Sequence, residues 1–281
     1  MKVLVHQPSK DDIMFDFLYQ MPNSELLFLL TCVTVIISFI AIILVKRYIP
    51  ITFRYKDNSA IGDTSALISV IYAVLAGLAA LYLINNINYT SDAVQREANA
   101  AADVYRDSRW LKNPTKSEIQ AQVKQYLNHV INVEWPLMER GETINHDGDF
   151  ILDNMTRYLS AYNASNSAEL FTVRDILEQI RLLYNARHQR IQMSTYSLNP
   201  ELWIVIIIGT VLTLFVNYLF GMNIYLHMFT VFAAALMTSS MIFLLISLDR
   251  PFQGESIIEY TPMQEVLVFI KDNAAQHLNG T

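Results

Sequence analysis

The sequence predicts an all-α membrane protein with four transmembrane helices and a helical extramembrane insert between the second and the third. Two observations support this fold class. Of the 281 residues, 53% are hydrophobic and only 16% are charged, whereas charged residues make up about a quarter of a typical soluble domain. Four long runs contain no Asp, Glu, Lys or Arg, and no useful length of chain alternates apolar and polar residues as a half-buried strand does.

The four uncharged runs have the length of transmembrane helices. A bilayer core of about 30 Å needs roughly 20 apolar residues in a helix, because lipid offers no hydrogen-bond partner to an open backbone. The runs cover residues 26–45, 66–84, 202–220 and 224–248. We therefore predict a polar N-terminal segment at 1–25, two membrane helices within 26–85, the insert at 86–201, two membrane helices within 202–248, and a C-terminal tail at 249–281.

The insert has a helical pattern. Residues 92–111 are rich in alanine with interleaved charges, and no Gly or Pro separates them from the second apolar run. We therefore expect the second membrane helix to continue out of the bilayer. Capping patterns indicate further helix starts at Thr115 with Glu118, at Thr172 with Asp175, and at Asn199 with Pro200. After the first of these starts, apolar residues repeat at three and four positions, as on one face of a helix; they are Ile119, Val123, Tyr126, Leu127, Val130 and Ile131.

The orientation in the membrane stays open on charge alone. Four spans place the N-terminal segment, the insert and the tail on one side and the two short links on the other. The link after the first span carries Lys46, Arg47, Arg54 and Lys56, which favours a cytoplasmic link. Basic residues near span ends on the opposite side balance this count, namely Lys2, Lys10, Arg96, Arg187, Arg190 and Arg250.

No sequence pattern indicates an enzyme, a cofactor or a metal site. The single cysteine, Cys32, lies in an apolar run, and the six histidines lack metal-ligand spacing. A phosphate-binding glycine loop, an HExxH motif and a nucleophile elbow are all missing from the sequence. The chain has no basic block for nucleic acid, and the uncharged spans argue against a coupled transporter.

Four short motifs stand out along the chain. They are "NYTSDAVQREANAAADVYRDSRWL" from Asn88 onward, "EWP" at Glu134, Trp135 and Pro136, "NYLFG" at the end of the third span, and "LDRPFQG" after the fourth. In their order and spacing they resemble the bestrophin-like family of mainly bacterial membrane proteins, over roughly residues 25–265. That family is more distantly similar to the bestrophins themselves, which are pentameric ion channels with a pore lined by the second helix.

The resemblance implies a function and partners. It implies a homo-oligomer, a pentamer as in bestrophins, that lies in the bilayer of a bacterial inner membrane and conducts small inorganic ions, with chloride favoured over a monovalent cation. It places the insert in the cytoplasm as an extension of the pore. The other interpretation is a membrane-anchored sensor or scaffold whose insert binds a partner or signal. Only the channel needs a ring-forming oligomer with a water-accessible face on the second helix.

The resemblance also suggests a pore constriction. If Gly77 corresponds to the glycine of the bestrophin pore helix, Val70, Val74 and Leu78 fall at the family's apolar constriction. Their i, i+4, i+8 spacing puts them on one helix face, so each could form a ring that closes the pore by dewetting. The alternative is that they face lipid or pack against a neighbouring helix.

The segment after the fourth span resembles the turn that follows it in bestrophins. The residues concerned are Asp249, Arg250, Pro251, Phe252 and Gly254, with Gln253 inserted. Arg250 is expected to anchor the helix at the interface, or else to form part of an electropositive rim that attracts anions. Calcium gating is not implied, because Ser256, Ile257 and Ile258 stand where calcium-gated bestrophins have acidic residues.

The "EWP" motif is expected to have a structural role. Glu134 and Trp135 are predicted to form a packed corner of the insert, with Pro136 ending a helix.

Overall fold

The computed structural model describes residue 19 and residues 21–49, 56–255 and 258–279, with side chains as far as residue 272. These residues form helices and no strand, which confirms the predicted all-α class. The helices are α1 (Asn23–Tyr48), α2 (Asn58–Asp107), α3 (Thr115–His129), α4 (Trp135–Glu139), α5 (Asp147–Ser160), α6 (Ser167–Ser194), α7 (Pro200–Tyr218), α8 (Ile224–Asp249) and α9 (Thr261–Asn279). Most of the predicted N-terminal segment lies outside the described residues, as do Lys2, Lys10, Arg54, Ser256 and Ile257.

Four helices are long and apolar enough to cross a bilayer, as predicted. They are α1, the first part of α2, α7 and α8. Within the most apolar stretch of each helix, no more than 33% of the residues are buried inside the protein. Most of their apolar side chains therefore point away from the chain's own core, as expected for helices solvated by lipid.

The described parts of Met1–Asn85 and Ser197–Arg250 form one compact unit, here called the membrane unit. In it α8 packs against α1 and α7. One core cluster joins Ile42 of α1 to Leu214 and Tyr218 of α7 and to Val231 and Ala235 of α8. Beside this cluster the hydroxyls of Ser38 and Tyr218 lie 2.8 Å apart, so these two buried groups of α1 and α7 satisfy each other.

The described parts of Asn86–Tyr196 and Pro251–Thr281 form a second compact unit, the insert unit. The apolar face predicted for α3 is buried, with Ile119, Val123, Tyr126 and Leu127 fully inaccessible. The helix α6 begins at Ser167 rather than at the predicted Thr172, because Asn166 caps it by accepting a hydrogen bond of 2.9 Å from the backbone of Glu169. In the membrane unit, the helix α7 begins at Pro200, as predicted.

The helix α2 is 50 residues long without a break, which corresponds to about 75 Å at 1.5 Å per residue. This length is more than about twice the thickness of a bilayer core. The prediction that the second membrane helix continues beyond the bilayer is confirmed.

Candidate functional site

One face of α2 packs inside the membrane unit. Its residues are Tyr72, Ala76, Ala79, Ala80 and Leu83, which recur every three or four positions and cluster with residues of α7 and α8. The small alanines let the neighbouring helices approach closely. On α7, Gly209 serves the same purpose, because a Cβ there would lie 2.7 Å from the Tyr72 ring.

The predicted constriction residues lie on the other side of α2. Val70, Val74 and Leu78 are 62%, 56% and 59% exposed, and at 100° per residue they point away from the alanine face. They are therefore not packed inside the chain's own fold. Gly77 is also exposed, and a Cβ added to it would meet nothing within 4 Å.

At the end of α8, Asp249 ties together parts of the membrane unit that are distant in sequence. Its side chain is buried and accepts a hydrogen bond of 2.6 Å from the backbone N–H of Leu198, just before α7 begins. It also accepts one of 2.8 Å from the hydroxyl of Tyr19. The next residue, Arg250, holds its guanidinium 4.2 Å from the centre of the Tyr19 ring. The sequence predicted the end of the fourth span here and an interfacial or rim role for Arg250, and it missed these contacts.

In the insert unit, the "EWP" and "LDRPFQG" motifs, which are far apart in the sequence, pack against each other. Phe252 is buried and meets Trp135 edge to face, with ring centroids 5.4 Å apart. Tyr260 meets the same indole at 5.9 Å. Between Phe252 and Tyr260 the chain turns at Gly254, whose φ of 73° favours glycine.

The geometry of Glu134 and Trp135 comes from a wide helical turn. Residues Val130–Glu134 form a π-helical turn, in which the N–H of Trp135 donates to the carbonyl of Val130, five residues back. Pro136 follows and has no N–H to donate to the carbonyl of Asn132, which favours a break in the regular ladder. The turn directs two successive side chains inward, since Glu134 is 0% and Trp135 1% exposed. Contrary to the expectation, Pro136 continues a helix as the second residue of α4.

Glu134 is the centre of a buried charge cluster in the insert unit. Both carboxylate oxygens are used: Oε1 accepts from Arg187 Nη2 at 2.8 Å, and Oε2 accepts from Arg190 Nη2 at 2.5 Å. Arg190 also donates from Nε to Glu97 of α2 at 2.6 Å. The hydroxyl of Tyr126 completes the cluster by donating to Glu97 at 2.6 Å. Helices α2, α3 and α6 are thereby joined to the π turn.

The arginines of this cluster favour the ionised state of Glu134. Burial opposes ionisation of Glu134, but Arg190 and Arg187 outweigh it and hold the pKa of this carboxyl below its usual value. Burial, followed by the charge of Glu97, raises the pKa of Tyr126 well above its usual range. The cluster thus pairs the Glu134 carboxylate with two guanidinium groups, beside a phenol whose pKa is raised.

A glycine makes room for this cluster. Gly148, in the first turn of α5, is buried, and a Cβ there would collide with the carboxylate of Glu134 and lie 2.6 Å from Arg187 Nε. Next to it, Asp149 accepts a hydrogen bond from Arg187. No sequence pattern marks Gly148, because the residues that crowd it come from elsewhere in the chain.

Within the described residues, no three His, Cys, Asp or Glu side chains could hold a metal ion together. The candidate functional features are therefore the exposed apolar face of α2 and the buried ion pairs of the insert unit.

Comparison with known proteins identifies the fold. No curated protein sequence matches the chain. The structure is similar to two mutant crystal structures of a bacterial bestrophin homolog from Klebsiella pneumoniae, with 14% and 12% identity and TM-scores of 0.63 and 0.62. These matches cover 88% of this chain and 98% and 97% of those chains. A crystal structure described only as a membrane protein is similar at 14% identity and a TM-score of 0.64, over 88% of this chain and 96% of that one.

The sequence itself matches a family model. Residues 32–263 match the Bestrophin-like domain, and this range contains all four apolar helices apart from the first turns of α1. Because the match covers most of the chain, the protein belongs to the Bestrophin-like family.

Proposed function

We propose that the protein is an oligomeric ion channel, a pentamer, whose pore is lined by the membrane part of α2. The observation that carries this proposal is the exposed apolar face of α2 in a protein of the Bestrophin-like family. The proposal places the protein in a bacterial inner membrane with the insert unit in the cytoplasm.

The three side chains of that face have the arrangement that a hydrophobic gate needs. Val70, Val74 and Leu78 are spaced four residues apart, slightly more than one helical turn. Each is more than half exposed in the single chain. Around a symmetry axis, each position would give a ring of apolar side chains at one height. Such rings close a pore by dewetting and need no charged residue in the span.

The long helix α2 supports the same proposal. Because it is unbroken from Asn58 to Asp107, the pore lining would continue beyond the bilayer into the insert unit as a vestibule. The family resemblance favours chloride as the permeant ion, and a recording under a salt gradient measures the sign of that ion directly.

The decisive experiment is a single-channel recording from purified protein in a planar bilayer under a potassium chloride gradient. The native chain is compared with Leu78→Ala, which we expect to raise the conductance because it truncates the largest of the three apolar side chains. The matched control is Leu212→Ala, which removes the same atoms from an exposed position of α7. It should leave the conductance unchanged.

The oligomeric state is measured on the same preparation by native mass spectrometry. A folded monomer, or a folded oligomer that passes no current in either form, would contradict the channel and leave the sensor or scaffold as the better hypothesis. An equal effect of Leu78→Ala and Leu212→Ala on the conductance would show that α2 does not line the pore.

A further inference from the structure

The start of α2 is attached to the link between α7 and α8. The side-chain amide of Asn58, the first residue of α2, donates from Nδ2 to the carbonyl of Gly221 at 2.8 Å. Its Oδ1 accepts from the backbone N–H of Gly221 at 2.9 Å. One amide thus satisfies both backbone groups of a buried residue 163 positions away. Two such bonds fix orientation as well as distance, because both must keep their geometry at once.

A second polar attachment joins α2 to α7. The hydroxyls of Tyr72 and Thr210 lie 3.2 Å apart, and both residues are buried. The ring of Tyr72 also lies so close to Gly209 that a Cβ there would be 2.7 Å from it. Hydrogen bonds between membrane helices have a defined partner, whereas lipid solvates apolar side chains as well as a neighbouring helix does.

Both attachments lie on the side of α2 opposite its constriction face, the face of Val70, Val74 and Leu78. Asn58 and Tyr72 are fourteen residues apart, which is about 40° short of four turns and about 21 Å along the axis. By the same count Val74 is about 160° and Leu78 about 200° around the axis from Asn58. The two attachments therefore hold the helix from behind.

The rotation of α2 decides which side chains the constriction face presents. Neighbouring residues of an α-helix are about 100° apart, so a turn of that size replaces Val74 by Ala73 or Leu75. Both of these are exposed. Such a turn breaks the hydrogen bonds of Asn58 and Tyr72, and it leaves the backbone groups of Gly221 without this partner.

We propose that Asn58 and Tyr72 are positioning residues of the channel, which fix the rotation of α2 against α7 and so keep the constriction face turned to the pore. The two helices then move as one body, and the width of the pore changes by movement of this body rather than by rotation of α2 alone. This inference rests on the proposed function, because it requires α2 to line the pore.

The test is the reaction of introduced cysteines with a small charged methanethiosulfonate, measured as loss of current in planar bilayers, in a chain carrying Cys32→Ser. With the attachments intact, Val74→Cys should react faster than Ala73→Cys and Leu75→Cys. Adding Asn58→Asp together with Tyr72→Phe should lower the rate at Val74→Cys severalfold and raise it at one of the two neighbours. A loss of stability alone does not exchange the rates in this way.

The choice of Asn58→Asp separates attachment from helix capping. Aspartate suits a helix start as well as asparagine does, but it has no N–H for the carbonyl of Gly221. Asn223→Asp is the matched control, because Asn223 caps α8 with an oxygen that accepts from the N–H of Tyr225 at 3.0 Å. It should leave all rates unchanged. Should Asn58→Asp fail to assemble, Asn58→Ala removes both bonds without adding a charge.

The outcomes separate this inference from the function on which it rests. Unchanged rates in the double variant, or equal effects of Asn58→Asp and Asn223→Asp, overturn the role of Asn58 and Tyr72 while the channel stands. An assembled native protein that conducts nothing overturns the channel and this inference together.

Discussion

Arg187 and Arg190 show how a pair of buried cations is stabilised inside a helical unit. They lie one turn apart on α6, are 1% and 0% exposed, and both donate to Glu134. Removing one partner of such a cluster leaves the other charges buried without compensation, which costs far more than the intact pair contributes. The stability of the insert unit is therefore most sensitive to single substitutions at these positions.

Arg190→Met should destabilise the protein by about 3–5 kcal/mol, because Glu97 and Glu134 would both lose a buried partner. The measurement is unfolding by denaturant in detergent, followed by circular dichroism. Arg181→Met is the control, since Arg181 pairs with Glu178 on the surface of the same helix. Exposed pairs contribute about 0–1 kcal/mol, so comparable losses for the two variants would show that the cluster does not stabilise the fold.

The sequence could not distinguish these arginines from surface cations. Arg187 and Arg190 were counted among basic residues near span ends, whereas the structure buries both of them. Their partner Glu134 is 53 and 56 residues away in the chain, and Glu97 is 93 residues from Arg190. Burial of a charge depends on such distant partners, which a single sequence does not reveal.

At the scale of helices, the predictions that rested on long periodic patterns were the most accurate. The four spans and the apolar face of α3 needed only composition and spacing. The π turn at Val130–Glu134 and the start of α6 at Ser167 were missed. The first depends on a proline two residues after the wide turn, and the second depends on a capping side chain at Asn166. The pattern of apolar residues determines neither of them.

The contact between the end of α8 and the start of α7 gives a prediction at this scale. Asp249→Ala should cost about 1–3 kcal/mol, because the N–H of Leu198, whose side chain is buried, would lose its acceptor. Thermal unfolding in detergent measures the loss. Asp153→Ala on the surface of α5 is the control and should lie within about 0.5 kcal/mol of the native protein. Equal melting temperatures for the native protein and Asp249→Ala would mean that water replaces the carboxylate.

For the whole molecule, the order of the motifs carried more information than any one of them. The family match spans residues 32–263, and it includes the "EWP" and "LDRPFQG" motifs whose rings pack together in the insert unit. No single motif is diagnostic of the family. The sequence therefore led to the family and the fold, while the roles of Val70, Val74 and Leu78 stay predictions, because their exposed side chains make no contact within the chain that would distinguish a pore from lipid.

The ionised cluster also makes the stability of the whole protein depend on pH. The pKa of Glu134 is lowered from 4.5 in the folded state, against the effect of burial, by Arg190 and Arg187. A carboxyl with a lowered pKa stabilises the fold fully above its unfolded value and loses that contribution as the pH falls through the folded value. The melting temperature should therefore fall as the pH is lowered below about 4.5.

Glu134→Gln isolates this contribution. The variant cannot ionise at residue 134, so it should be less stable than the native protein at neutral pH and should lose less stability on acidification. Glu142→Gln is the control, because Glu142 pairs with Arg140 on the surface, where solvent screens the pair. Its melting curve against pH should run parallel to that of the native protein. If the curve for Glu134→Gln also runs parallel, acid acts on the fold through other carboxyls and the buried cluster does not set its acid limit.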